Sequence, residues 1–178
     1  MIPYGGKELA DGFRTVRKNT IQVAEDIPES KYDFVAAPDV RPVRQMLAHV
    51  AVVTRFWEET DGKGITTMQG FDFSKLMELA QSEENKLQTK AEIVQSLRAN
   101  GERFVSWLET LTPEFLSQRV TEPDGQTKSR FERILGAKEH EMHHRAQLML
   151  IERQLGIVPH LTRQRLERMA QMKGAAKA

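Results

Sequence analysis

The sequence predicts an all-α protein: a four-helix bundle with short inserted helices and loops and a short C-terminal helix. Apolar residues recur at spacings of three and four along most of the chain, two segments begin with capping boxes, and glycine and proline separate the helical segments. A length of 178 residues suits one domain with a substantial core. We therefore expect a single domain over residues 1–178, with a frayed tail at 173–178.

The first half of the chain holds two long helices and one short helix. The first long helix is predicted to end at Pro28, because its apolar stripe stops there and proline disrupts a helix interior. The second is predicted to begin near Arg41–Pro42, since proline is tolerated in a first turn, and to end at Gly62. A loop and a short helix, at about Ser74–Asn85, follow. The predicted buried stripe of the first helix is Leu9, Phe13, Val16, Thr20, Val23 or Ala24, and Ile27.

The third long helix has a clear start and a clear end. Thr89–Glu92 is a capping box, in which the threonine hydroxyl and the glutamate carboxylate each bind a free amide of the first turn. Pro113 follows the helix. Gly101 lies inside it and costs about 1 kcal/mol relative to alanine, so we expect tight packing against a neighbour there.

The fourth long helix begins at a second capping box, Ser129–Glu132, and is predicted to run to about Leu155. Before it, Pro123–Gly125 is a turn signal that indicates a small hairpin. After it, we predict a last short helix at about Thr162–Met172.

Charge and composition exclude several functional classes. Lys and Arg total 26 and Asp and Glu total 25, so the formal net charge of +1 gives no electrostatic case for nucleic acid or an acidic membrane surface. The absence of cysteine excludes disulfides, thiolate zinc sites and a cysteine nucleophile. The chain has no apolar run long enough to cross a bilayer and no signal peptide, so we expect a soluble, cytoplasmic protein.

Three of the five histidines are predicted to form a metal site. His140 and His144 are one helical turn apart on an inward face and can chelate one ion. His49 is on the buried stripe of the second helix and is the expected third ligand. His143 is expected at the flank of the site, and His160 in an exposed turn. Taken singly, each histidine also fits a core or surface role, so the prediction depends on the three together.

A site of three neutral imidazoles suits a divalent ion, zinc or nickel above others. Three protein ligands leave at least one position for water or substrate, which is typical of catalytic sites. The sequence leaves the fourth ligand open.

The segment His140–His144 also satisfies H-E-x-x-H, the zinc metalloprotease motif. The extended motif requires glycine at position 147 and histidine at position 150, where this chain has Gln147 and Leu150. We therefore disfavour a protease.

Five segments of the chain together have a recognisable pattern: Leu47–Ala51, His140–Leu148, Arg14–Arg17, Ala24–Pro28 and Asp124–Gly125. They resemble the DinB-like (DinB/YfiT-type) family of bacterial metal-binding four-helix bundles. The resemblance covers most of the chain and implies a divalent metal held by His49, His140 and His144, often in a homodimer. It also implies activities such as thiol-dependent S-transfer or maleylpyruvate isomerisation, although it fixes none of them.

The functional hypothesis is a metal-dependent enzyme of thiol S-transferase or hydrolase type that acts on a small molecule. A thiol, if used, would be a low-molecular-weight cosubstrate. Glu141 and His143 are the candidates for general acid or base, and Arg145 and Gln147 are candidates for orienting a substrate or a ligand imidazole. The alternatives are a non-catalytic metal-binding or stress-response bundle and a metal-free interaction module.

Overall fold

A four-helix bundle is the main feature of the computed structural model, which describes residues 4–175. The helices are α1 (Gly6–Asp26), α2 (Val43–Val52), α3 (Arg55–Thr60), α4 (Phe73–Glu84), α5 (Lys90–Glu109), α6 (Pro113–Ser117), α7 (Arg130–Gln154) and α8 (His160–Ala175), with a 3₁₀ turn at Glu29–Lys31. β1 (Arg119–Thr121) and β2 (Thr127–Ser129) pair as an antiparallel hairpin. α1 and α2 each pack on both α5 and α7, so the order around the bundle is α1–α5–α2–α7. The predicted all-α four-helix class is confirmed.

Local sequence signals determine where most of these helices and turns begin and end. The capping boxes at Thr89 and Ser129 are both formed, and the hairpin turns at Gly125, where a positive φ suits glycine. The predicted short helix agrees with α4 to within one residue at each end. All members of the α1 stripe are buried.

The core consists of two apolar clusters at opposite ends of the bundle. One cluster includes Val23 and Leu148, and the other includes Phe13 and Ile134. On α1, α5 and α7 alike, the two clusters are separated along the helix, so a polar layer crosses the middle of the bundle. The candidate ligands lie in this layer.

Arg17, on α1, occupies the centre of the polar layer and contacts the other three helices of the bundle. Its Nε donates to both carboxylate oxygens of Glu141 at 3.0 Å, and its Nη2 lies 2.9 Å from Glu141 Oε2. Nη1 donates to the Leu97 carbonyl at 2.9 Å and Nη2 to the Val50 carbonyl at 3.1 Å. A Cβ at Gly101 would come within 2.8 Å of Arg17 Cγ, which explains the glycine inside α5.

The second helix is interrupted, so the prediction of one unbroken helix to Gly62 is wrong. Side chains from neighbouring helices bind the carbonyls at the break: Arg17 donates to Val50, and Asn100 Nδ2 donates to Ala51 at 2.8 Å. The next residues tighten into i→i+3 turns before α3 begins. This break depends on tertiary hydrogen bonds that the local sequence does not encode.

The C-terminal helix begins earlier and extends further than predicted. His160, expected in an exposed turn, is only 3% exposed, and its Nε2 lies 3.2 Å from Asn19 Oδ1 on α1. That expectation is wrong because α8 docks on α1 from its first residue. Residues 173–175, expected to fray, are helical, whereas 176–178 lie outside the described residues.

Of the helices between residues 4 and 175, none combines the length and the apolar run that crossing a bilayer requires.

We expect Arg17→Met to lower the free energy of unfolding by about 3–5 kcal/mol, because it leaves the Glu141 carboxylate buried without a partner. The double variant Arg17→Met/Glu141→Leu should recover part of that loss. Denaturant unfolding measures the free energy of unfolding of the single and the double variant. As a control, Arg98→Met breaks the exposed ion pair with Glu25 and should cost under about 1 kcal/mol. A loss for Arg17→Met as small as the control would contradict the central role of this ion pair.

Glu152, on α7, is a second buried carboxyl group. Both of its carboxylate oxygens are buried without a hydrogen-bond partner among residues 4–175. Burial, reinforced by Asp26, raises the pKa of Glu152 to about 7, against the opposing charges of Arg163 and Arg153. The native state therefore binds this proton more tightly than the unfolded chain does.

The pKa of Glu152 is higher in the folded protein than in the unfolded chain. The stability that this difference contributes is fully present below the pKa of the unfolded chain and is lost as pH rises through about 7. The glutamine in Glu152→Gln cannot titrate. We therefore expect this variant to have a free energy of unfolding about 2–3 kcal/mol higher than wild type at pH 8, and a much smaller difference at pH 5. Thermal or denaturant unfolding at the two pH values checks this. As a control, Glu167→Gln changes an exposed residue of α8 and should have the stability of wild type at both pH values. An equal gain in stability for Glu152→Gln at pH 5 and pH 8 would refute the raised pKa of Glu152.

Candidate metal centre

His49 of α2 and His140 and His144 of α7 meet at one point in the polar layer. All three side chains are half-buried, and one ring nitrogen from each lies within 4.8 Å of the others. The ring centroids are 4.6 to 5.1 Å apart. The structure thus brings together the three histidines that the sequence singled out.

The nitrogen spacing fits a tetrahedral metal site. His49 Nε2 lies 3.3 Å from His140 Nε2. Two ligands of a tetrahedral ion with bonds of about 2.0–2.1 Å have nitrogens about 3.3–3.4 Å apart. The residues present therefore fit a divalent ion.

Hydrogen bonds to the outer ring nitrogens orient two of the imidazoles. His49 Nδ1 lies 2.8 Å from Glu84 Oε1 on α4, and His144 Nδ1 lies 3.0 Å from Gln147 Oε1. A carboxylate oxygen can only accept, so Nδ1 of His49 carries the hydrogen and its Nε2 keeps a free lone pair. Partners of this kind fix the tautomer and ring orientation of metal-binding histidines.

Burial favours the neutral, metal-binding form of the two α7 histidines. Burial, together with the neighbouring imidazoles and Arg41, lowers the pKa of His140 to about 4. Burial also lowers the pKa of His144, although the hydrogen bond to Gln147 opposes that shift. Neither imidazole must lose a proton at neutral pH before binding an ion.

Of the two candidates for general acid or base, Glu141 faces away from the three histidines and His143 borders them. Glu141 is fully buried and paired with Arg17. It lies about 100° round the helix from His140, and this rotation turns it toward α1. His143 is exposed, with its ring centroid 5.1 Å from that of His144.

The two candidates for orientation differ in their contacts. Gln147 binds the ligand imidazole of His144, which is one of the two roles expected of it. Arg145 is half-buried, and its Nε is buried without a hydrogen-bond partner among the described residues. A contact between substrate and either residue stays a prediction.

Glu84 is the residue that the sequence reasoning missed. The short helix was predicted, but its sequence did not reveal that it packs on α2. The available signal was chemical: metal-binding histidines commonly donate their second N–H to a carboxylate, and Glu84 is the last residue of the short helix α4.

A family model described as the DinB superfamily matches residues 13–148, which is more than half of the chain. The chain belongs to the DinB superfamily. A search of curated proteins finds no match.

Three solved structures share the fold. The chain is 20% identical to a DinB-like protein, YjoA, from Bacillus subtilis, with a TM-score of 0.64 over 84% of this chain and 92% of that one. It is 18% identical to YfiT from Bacillus subtilis, with a TM-score of 0.66 over 88% and 91% of the two chains. YfiT is described as a probable metal-dependent hydrolase with an unusual four-helix bundle topology. An uncharacterized protein from Clostridium difficile 630 is 18% identical, with a TM-score of 0.63 over 86% and 98%.

We expect Glu84→Ala to weaken zinc or nickel binding about 10- to 100-fold, because the imidazole of His49 loses the carboxylate that orients it. Competition with a chromogenic chelator measures the affinity. Glu83→Ala is the matched control, since its carboxylate pairs with Lys86 on the same helix. Affinities that are equal in the two variants would rule out an orienting role for Glu84.

Proposed function

We propose that this chain binds a divalent metal ion, zinc or nickel, through His49, His140 and His144. We propose further that it is a small-molecule enzyme of hydrolase or thiol S-transferase type. The observation that supports this best is the 3.3 Å approach of the His49 and His140 Nε2 atoms at the wall of a cavity. The description of YfiT as a probable metal-dependent hydrolase points the same way.

The number of ligands favours catalysis over a purely structural site. Structural zinc sites normally use four protein ligands, whereas catalytic sites use three and keep one position for water or substrate. The cluster here supplies three imidazoles. His49 and His140 also line a cavity of about 320 Å³, so a small molecule could reach them.

The ion, when bound, would supply Lewis acidity that polarises an electrophile or lowers the pKa of a water or thiol. The protein would supply the geometry: Glu84 holds the ring of His49, and Gln147 holds the ring of His144. Apolar side chains such as Phe56 and Trp57 line the cavity and would exclude bulk water.

Both reactions replace one bond at an electrophilic atom. In hydrolysis a water oxygen forms the new bond, and in S-transfer the sulfur of a thiol cosubstrate does. The leaving group departs with the electron pair of the broken bond, and the proton of the water or thiol passes to the leaving group or to solvent. A homodimer and a cytoplasmic location remain predictions.

The test is turnover by metal-loaded protein on two panels: activated esters for hydrolysis, and apolar electrophiles with a low-molecular-weight thiol for S-transfer. We expect activity that a chelator removes and added zinc or nickel restores. His49→Ala should lower the rate at least about 100-fold, and Glu139→Ala, at an exposed position on α7, should retain it. A metal-loaded wild type no faster than His49→Ala on both panels would contradict catalysis and favour the alternative, a metal site for stability or sensing.

A further inference from the structure

The cavity beside the histidines has mostly apolar walls. Val53, Phe56 and Trp57 form one side, and Leu76, Met77 and Ala80 of α4 form the other. Trp57 is fixed in place, because its Nε1 donates to the Arg133 carbonyl at 2.8 Å and its ring centroid lies 6.3 Å from that of His140. One end of this apolar space is therefore the metal centre.

The α4 wall has apolar surface that a ligand could cover. Every residue of α4 keeps some solvent exposure, and Met77 and Leu79 are 63% and 41% exposed. Covering such side chains contributes about 25 cal/mol for each Å² of apolar area removed from water. An apolar ligand group is therefore favoured in this cavity over a polar one.

The charged groups around the cavity favour an anion near the histidines. Arg41 and Arg55 line the cavity, and between residues 4 and 175 neither guanidinium forms an ion pair or a hydrogen bond. Arg55 lies near Glu83, whose pKa it helps to lower. Arg41 lines the same cavity as His49 and His140, so its positive charge is available to a ligand beside the imidazoles. The carboxylate of Glu84 is already hydrogen-bonded to His49.

We propose that this cavity selects small apolar compounds that carry one acidic group, and that Arg41 binds the acidic group beside the metal centre. This inference rests on the proposed function and names its substrate class. A volume of about 320 Å³ is near the lower end for ligand cavities, so it suits a single ring or a short branched chain. A guanidinium presents paired N–H donors that match a carboxylate or sulfonate.

Calorimetric titration of the full chain, with and without bound zinc, tests the proposal independently of turnover. The probes are 3-phenylpropane-1-sulfonate, neutral 3-phenylpropan-1-ol and methanesulfonate; a sulfonate is chosen because it is a poor metal ligand. We expect the phenyl sulfonate to bind about tenfold more tightly than the alcohol, and also more tightly than methanesulfonate. Arg41→Gln should abolish the preference over the alcohol without changing alcohol binding, whereas Arg55→Gln should keep it.

Three results would overturn the proposal. The first is a preference for the phenyl sulfonate over the alcohol that survives Arg41→Gln or is absent from wild type. The second is methanesulfonate binding as tight as that of the phenyl sulfonate, which would remove the role of the apolar walls. The third is no detectable binding of either phenyl compound. Because these are binding results, they remain distinguishable from a failure of turnover.

Discussion

One buried guanidinium joins the four long helices. Arg17 of α1 pairs with Glu141 of α7 and donates to the carbonyls of Leu97 on α5 and Val50 on α2. Its side chain is 4% exposed and that of Glu141 is 1% exposed, so each charge depends on the other for compensation. A buried pair of this kind adds little stability compared with apolar packing, but loss of one partner is costly. It therefore fixes the relative positions of the helices more than it drives folding.

The candidate metal centre lies in the same layer. His49 immediately precedes Val50, whose carbonyl Arg17 binds, and His140 immediately precedes Glu141. Arg17 thus holds a residue next to two of the three candidate ligands. The helix break after α2 follows from the same contacts, because Arg17 and Asn100 bind the carbonyls of Val50 and Ala51. α4, outside the bundle, then adds Glu84 to orient His49 and provides one wall of the cavity.

The sequence predicted what local chemistry determines. Some features depend only on residues close together in the sequence, such as the capping boxes, the apolar stripe that ends at a proline and the turn at a glycine. Likewise, two histidines one turn apart on a helix share a face in any fold. Contacts between distant residues were missed because they depend on how helices dock. These include the helix break after Val52, the burial of His160 against Asn19, and the pairing of Glu141 with Arg17. Glu84 was missed for the same reason, since no residue of α4 is fully buried and its sequence does not show which neighbour it packs on.

We infer that His49, His140 and His144 together hold one metal ion. Elemental analysis of purified wild type and of single alanine variants at these positions tests this inference, with His143→Ala as the matched control on the same helix. We expect about one zinc or nickel ion per chain in wild type and in His143→Ala, and loss of the ion in the other three variants. Metal that survives His49→Ala, or a wild type that binds none from supplemented buffer, would contradict it.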